Sequence, residues 1–237
     1  DVRTPGAYIE IDNSKALRGL PSMARRMLYI GNKLSTGSAT AGTLQRINSA
    51  ADAATLFGRG SVLHEMLAAA RFANKTSDIW AISLDDNAAG VKATQTITVT
   101  ANSAQAGTIS LYVNGKRLSV GVSANDTATT IAAAIVAAVT AYADCPVTAA
   151  AASAVVTLTA RHKGLFGNDI DVRVNYYSGE LLPAGVALVI ASGTAGSGNP
   201  DVTPALAAIS VDSFYTLAMP YNDTANIVAV ETELASR

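Results

Sequence analysis

Acid–base or nucleophilic chemistry in this chain would have to start from two histidines, His64 and His162, and one cysteine, Cys145. His64 stands beside Glu65 in a segment with helical spacing. His162 stands in Arg161-His162-Lys163-Gly164, which reads as a loop. A Ser-His-Asp relay needs an activated serine, and no G-x-S-x-G elbow is present. Both histidines therefore read as surface or loop residues. No Cys pair, H-E-x-x-H or H-x-x-H occurs. The carboxylate pairs Asp85-Asp86 and Asp169/Asp171 are too few for a convincing calcium site. Gly193-Thr194-Ala195-Gly196-Ser197-Gly198 has the look of a phosphate loop. No Lys follows its glycines, and it fits neither G-x-x-x-x-G-K-[ST] nor G-x-G-x-x-G, so it reads as a flexible return linker. No catalytic residue, cofactor or metal is expected.

The bulk properties point the same way. The chain has 237 residues, 49% of them apolar and 15% charged, with a formal net charge of -1. That composition supports a packed core and leaves much small, neutral surface, which suits packing against other protein copies. There is no basic stripe, and Arg25-Arg26 reads as the flank of a strand, so nucleic-acid binding is disfavoured. One cysteine allows no internal disulfide and fits synthesis in a reducing cytoplasm. The apolar stretch from Ile131 to Ala143 is shorter than the roughly 18 residues of a membrane span, so no membrane anchor is expected. No signal peptide opens the chain.

The elements that would position these residues come in two styles. Met27–Ile30 is a continuous apolar run closed by Gly31. Ser49 and Ser61 cap expected helices at Ala50–Phe57 and Val62–Ala73, and Asp78–Leu84 is the next strand. This βαβ order predicts a right-handed crossover and a parallel sheet. Near Asn87 the pattern changes to short alternating strands. Asn114-Gly115 between Thr108–Val113 and Lys116–Val122 predicts a type I′ hairpin that pairs Leu111 with Leu118 and Ile109 with Val120. Asp126 is the expected cap of a helix through Tyr142. Strands are expected at Gln95–Ala101, Val155–Ala160, Asp169–Tyr176 and Val186–Ala191. The first style returns after Gly198, with a helix at Pro204–Ile209, a buried strand at Phe214–Met219 and a helix from Ile227. That helix shows no stop signal by Arg237, so the visible chain reads as cut short. The expected fold is an α/β core, largely parallel and incomplete, with an inserted antiparallel α+β domain. Its expected parts are an arm (1–25), core (26–88), inserted β-rich domain (89–193) and core again (194–237).

The arm contains Ala7-Tyr8-Ile9-Glu10-Ile11-Asp12, an alternating strand with no turn dipeptide to fold it back. Its sheet is either that of its own chain or the edge of a neighbouring subunit. The favoured expectation is intersubunit strand addition by Tyr8, Ile9, Glu10, Ile11 and Asp12.

Three blocks carry a resemblance. Pro5-Gly6-Ala7-Tyr8-Ile9-Glu10-Ile11-Asp12 with Ala16-Leu17-Arg18-Gly19-Leu20-Pro21 resembles the start of tail sheath proteins of Mu-like contractile-tailed bacteriophages. Ala160-Arg161-His162-Lys163-Gly164 with Gly167-Asn168-Asp169-Ile170-Asp171 resembles their inserted domain, and Ala218-Met219-Pro220-Tyr221-Asn222-Asp223 resembles a strand-to-helix turn of their core. The resemblance implies a non-enzymatic structural subunit of a virion tail, assembled in the host cytoplasm. It implies a core of subtilisin-like shape and hexameric rings stacked helically around a tail tube. The implied partners are further copies, the tube protein, the baseplate and the tail terminator, and contraction drives the tube through the host envelope. The family's carboxy-terminal domain, which faces the tube, is then expected beyond Arg237. The competing class is a β-rich surface- or glycan-binding module, which clustered exposed Trp and Tyr would mark. The one Trp, Trp80, reads as buried.

Overall fold

The computed structural model describes residues 25–210 and 212–236. The first sheet contains β1 (Arg26–Asn32), β2 (Leu44–Ile47), β3 (Asp78–Leu84) and β11 (Thr216–Ala218), in the order β11-β1-β3-β2. β11, β1 and β3 are parallel, and β2 adds antiparallel to the edge of β3. Between β2 and β3 run α1 (Ala50–Phe57) and α2 (Val62–Ala73). Their caps are as expected: the Ser49 hydroxyl accepts from Asp52 N at 3.0 Å and the Ser61 hydroxyl from His64 N at 3.1 Å. These bonds satisfy backbone donors that the first helical turn leaves open.

The side-chain period of the strands separates two cores. Ile79 and Ala81 face α1 and α2 and pack with Phe57, Leu63 and Leu67. Leu28, Ile30, Ile82 and Leu84 face the other way, onto α4 (Thr203–Ile209) and α5 (Thr224–Ala235). The strands are thus buried on both faces, which is why they read as apolar runs. Each fully buried Leu or Phe contributes about 1.5–3 kcal/mol.

Residues 92–192 build two antiparallel sheets. One has the order β10-β4-β8-β7, from β4 (Lys92–Ala101), β7 (Val147–Ala152), β8 (Val155–Lys163) and β10 (Ala187–Ser192). The other has the order β6-β5-β9, from β5 (Gly107–Val113), β6 (Lys116–Val122) and β9 (Val172–Val174). Their inner faces and α3 (Ala128–Ala141) share one core, with Ile97, Leu158, Leu111, Val120, Ile131 and Ile135 in it. The hairpin has the expected register, Leu111 opposite Leu118 and Ile109 opposite Val120. Asn114 and Gly115 take φ of 49° and 77°, as a type I′ turn demands. The chain is therefore of mixed α/β class with antiparallel sheets between its parallel strands.

Several expectations are corrected. The cap of α3 is Thr127, which accepts from Thr130 N; the Asp126 carboxylate accepts from Ser123 N instead. The expected strand 169–176 is reduced to β9, preceded by a 3₁₀ turn at Leu165–Asp169. Asn175 ends it at φ 49°, where its amide oxygen accepts from Ser110 N and turns Tyr176 outward. β2 and β7 were not foreseen, and the expected buried strand 214–219 is the short, half-buried β11. Trp80 is half-buried, with its ring N–H donating to Asp78. The glycine-rich return is no free linker. Thr194 O accepts from Thr94 N, Gly193 N donates to Thr94 O, and Val91 and Ser197 exchange both backbone bonds, so the segment straps onto β4. The arm strand Tyr8–Asp12 lies outside the described residues.

Candidate functional site at the junction of the sheets

Both histidines are buried, contrary to expectation: His64 is 7% exposed and His162 2%. Each sits where the parallel sheet meets the antiparallel pair. The sequence placed His162 in a loop, but it lies on β8, whose last residues run on past the sandwich core.

The first junction forms at the C-terminal ends of β1 and β3. Asn32 ends β1 and Asp86 follows β3. The Asp86 carboxylate accepts from the Asn32 amide at 2.7 Å, lies 2.8 Å from His162 Nδ1, and accepts from Lys163 N at 3.0 Å. Asn32 in turn accepts from the Tyr221 hydroxyl at 2.6 Å. Burial alone would raise the Asp86 carboxyl. The His162 bond and charge, the Lys163 N–H and the Asn32 amide outweigh it and hold it below its ordinary range. Beside this group, Asn199 donates to Asp223, the cap of α5, while Asn226 binds Val202 N and Pro200 O. The return strap, α5 and β8 are thereby fixed to one another. Catalysis through His162 would need a hydroxyl at Nε2. That atom is buried without a hydrogen-bond partner in the structure, beside the Phe166 ring. The dyad joins the end of β8 to the ends of β1 and β3.

The second junction lies between α2 and the α3–β7 connection. Arg59 makes two bonds to Asp144, 2.7 and 2.8 Å. Arg161 Nε donates to Cys145 O at 2.6 Å. Gly60 sits against this pair at φ +76°, where a Cβ would stand 2.7 Å from Cys145 O, so only glycine permits so close an approach. A cleft of about 280 Å³ opens here, lined by His64, Glu65, Lys116, Tyr142 and Asp144 among others. Burial lowers the His64 imidazole. The Arg59 bond lowers the Asp144 carboxyl. Burial, then the Asp144 charge, push Glu65 up to about 7. Burial raises the Cys145 thiol and so quiets it.

Sequence reasoning found neither junction. His64–Glu65 adjacency and Asp85-Asp86 were visible, but their partners are far along the chain. Among the described residues, no group of three or more His, Cys, Asp and Glu side chains is placed to hold a metal, and no helix is long and apolar enough to cross a membrane.

Tyr176 and Tyr177 are exposed and cluster with Tyr112, with ring centroids 5.1–6.2 Å apart. Such a cluster could stack a sugar, but the rings meet edge-on. Arg173 covers Tyr176 at 4.7 Å, and the Tyr112 hydroxyl donates to Glu180. No flat aromatic platform results.

Comparison with known proteins agrees with a structural role. Residues 88–187 match the family model of the phage tail sheath protein beta-sandwich domain, the stretch that holds both antiparallel sheets apart from most of β10. The chain is 39% identical over 236 residues to the Mu-like prophage FluMu tail sheath protein of Haemophilus influenzae. The match covers 100% of this chain and 48% of that protein, so the chain spans about half the length of the curated relative it matches. A match to the sheath beta-sandwich domain and 39% identity along the whole chain converge: the chain belongs to the tail sheath proteins of Mu-like, contractile-tailed bacteriophages and prophages.

Proposed function

We propose that the whole protein polymerises as hexameric rings stacked helically around a tail tube, and contracts to drive the tube through the host envelope. Its partners are then further copies, the tube protein, the baseplate and the tail terminator, and it assembles in the host cytoplasm before residing in the virion tail. The observation that carries this reading is the identity to a tail sheath protein along the full length of the chain. Electron microscopy of the purified full-length protein should show hollow tubular polymers. A protein that stays monomeric at high concentration would remove the reading.

The parts have separate roles in this proposal. Residues 26–88 and 194–237 form one core of subtilisin-like shape, and residues 89–193 are an insertion with its own folding cooperativity. The insertion's separate hydrophobic core supports that division. The isolated segment 89–193 should be soluble with a single cooperative melt, and a disordered product would show the division to be wrong.

Tyr8–Asp12 adds to a sheet edge of a neighbouring subunit. Ordering each arm residue costs about 1–2 kcal/mol, and each backbone bond returns about 0.5–1.5 kcal/mol. Burial of Ile9 and Ile11 adds about 1.5–3 kcal/mol each and decides the sign. Full-length protein with Ile9→Asp and Ile11→Asp should fold as monomer and form no polymers. Polymers of normal yield from that variant would rule out the arm as the link.

A further inference from the structure

The crossovers of the parallel sheet keep one hand. From β1 the chain passes through α1 and α2, on one face, and reaches β3 on one side of β1. From β3 it passes through the insertion and α4, on the other face, and reaches β11 on the opposite side of β1. Opposite faces with opposite directions are the same handedness, and parallel crossovers are right-handed almost without exception. α5 follows β11 and packs on the α4 face. A strand that follows α5 with the same hand is therefore placed beyond β11, on the side away from β1.

Among the described residues that place is open, because β11 is an edge of its sheet. Exposed edges are usually guarded by charge or proline. The opposite edge, β2, has the exposed Arg46, whereas Thr216-Leu217-Ala218 of β11 has neither. Beside β11 lies an apolar groove of about 200 Å³, lined by Leu28, Leu206, Ile209, Leu217, Val230 and Leu234 among others. That is smaller than the roughly 300–1,000 Å³ of ligand pockets and suits side chains instead. Ile227, Val230 and Leu234 form a stripe at helical spacing along α5. Val230 is buried, but Leu234 is 59% exposed, so the stripe is only partly covered.

We propose that the protein's chain beyond Arg237 lays its next strand, parallel, on the open edge of β11 and covers this groove with apolar side chains. The inference rests on the reading of residues 26–88 and 194–237 as one core and is independent of polymerisation. The end of α5 already lies at the groove, since Leu234 lines it. This chain covers 48% of the matched tail sheath protein, and residues 5–21 resemble the start of such proteins, so the remaining length falls past α5. The strand gives the unpaired backbone groups of β11 partners, and its inward side chains complete the core that Leu28, Leu217 and Val230 begin.

The test uses full-length protein carrying Leu234→Cys, kept dilute and monomeric. The native Cys145 is buried and adds little background. Maleimide should modify the new thiol about tenfold more slowly than in the same protein unfolded in urea, because the covering strand must open first. A rate near the unfolded one overturns the inference. Slow labelling that appears only in the polymer also overturns it and makes a second copy the cover. Slow labelling that is lost when residues 1–24 are removed overturns it in favour of the arm. If the variant does not fold, hydrogen exchange in the unaltered monomer decides. The amides of Thr216–Ala218 that point away from β1 exchange slowly where a strand pairs with them, and rapid exchange there overturns the inference. Failure of the full-length protein to polymerise removes the sheath reading and leaves this inference standing.

Discussion

Asp86→Ala should lower the unfolding free energy by about 3 kcal/mol, the low end of the cost of stranding one partner of a buried pair. Asp86 receives three donors at once, from Asn32, His162 and the Lys163 backbone, while its own side chain stays 23% exposed. Removing the carboxylate leaves Asn32 and His162, which are 0% and 2% exposed, without their acceptor. Urea denaturation would show the change as a midpoint about 1 M lower, for a slope near 3 kcal/mol per M. Asp86→Asn keeps an acceptor oxygen and should cost about 1 kcal/mol. The acid response gives a second check. The Asp86 carboxyl is depressed in the fold, so its contribution is complete above its ordinary value of 3.8 and is lost as pH falls through the folded value. Wild type should lose stability more steeply below that pH than either variant. A midpoint unchanged in Asp86→Ala would show that the first junction contributes nothing to folding.

The second junction predicts a stabilising substitution. Glu65 is raised from 4.5 to about 7, first by burial and then by the Asp144 carboxylate. A raised acid binds its proton more tightly folded than unfolded. Stability is therefore highest at low pH and falls as pH climbs from about 4.5 to about 7. The full shift corresponds to about 1.4 kcal/mol per unit, and partial solvent access reduces the total to about 1–2 kcal/mol. Glu65→Gln should remove that loss. At pH 8 the variant should be more stable than wild type by about that amount, and at pH 4 the two should coincide. Thermal melts across pH 4–8 would settle it, and parallel curves for the two proteins would contradict the assignment. His64 works in the opposite sense, since burial lowers it and stability falls where it must take a proton. Its contribution is common to both proteins and cancels in the comparison.

What could be read from the sequence divides along a physical line. Ser49 and Ser61 bond backbone three residues on, so their helices could be read locally with correct bounds. Asn114-Gly115 carries its own backbone preference and fixed a whole register. β7 could not be read, because Val147–Ala152 is mostly alanine and is a strand only by virtue of pairing with β8. Residue spacing could not reveal the junctions either. Asp86 and His162 are 76 residues apart, Arg59 and Asp144 85, and Asn32 and Tyr221 189. His162 looked like a loop residue because two basic neighbours flank it and a glycine follows. Burial of its ring is a consequence of tertiary pairing with Asp86. The likeness to sheath proteins was visible in short blocks because it rests on residue identity, which needs no geometry.

Cys145 lends the second junction an unintended use. The thiol is the only one in the chain, is fully buried, and lies beside the Arg161 and Gly60 contacts that close the junction. The thiol packs in the sandwich core while the carbonyl of the same residue receives Arg161, so it reacts only while that packing opens. Its modification rate in unaltered protein is therefore a gauge of how often the packing around this end of the sandwich opens, free of mutation and of any attached dye. Read before and after a change in the polymer, the same atom would tell whether the sandwich loosens where its carbonyl meets Arg161 or stays closed.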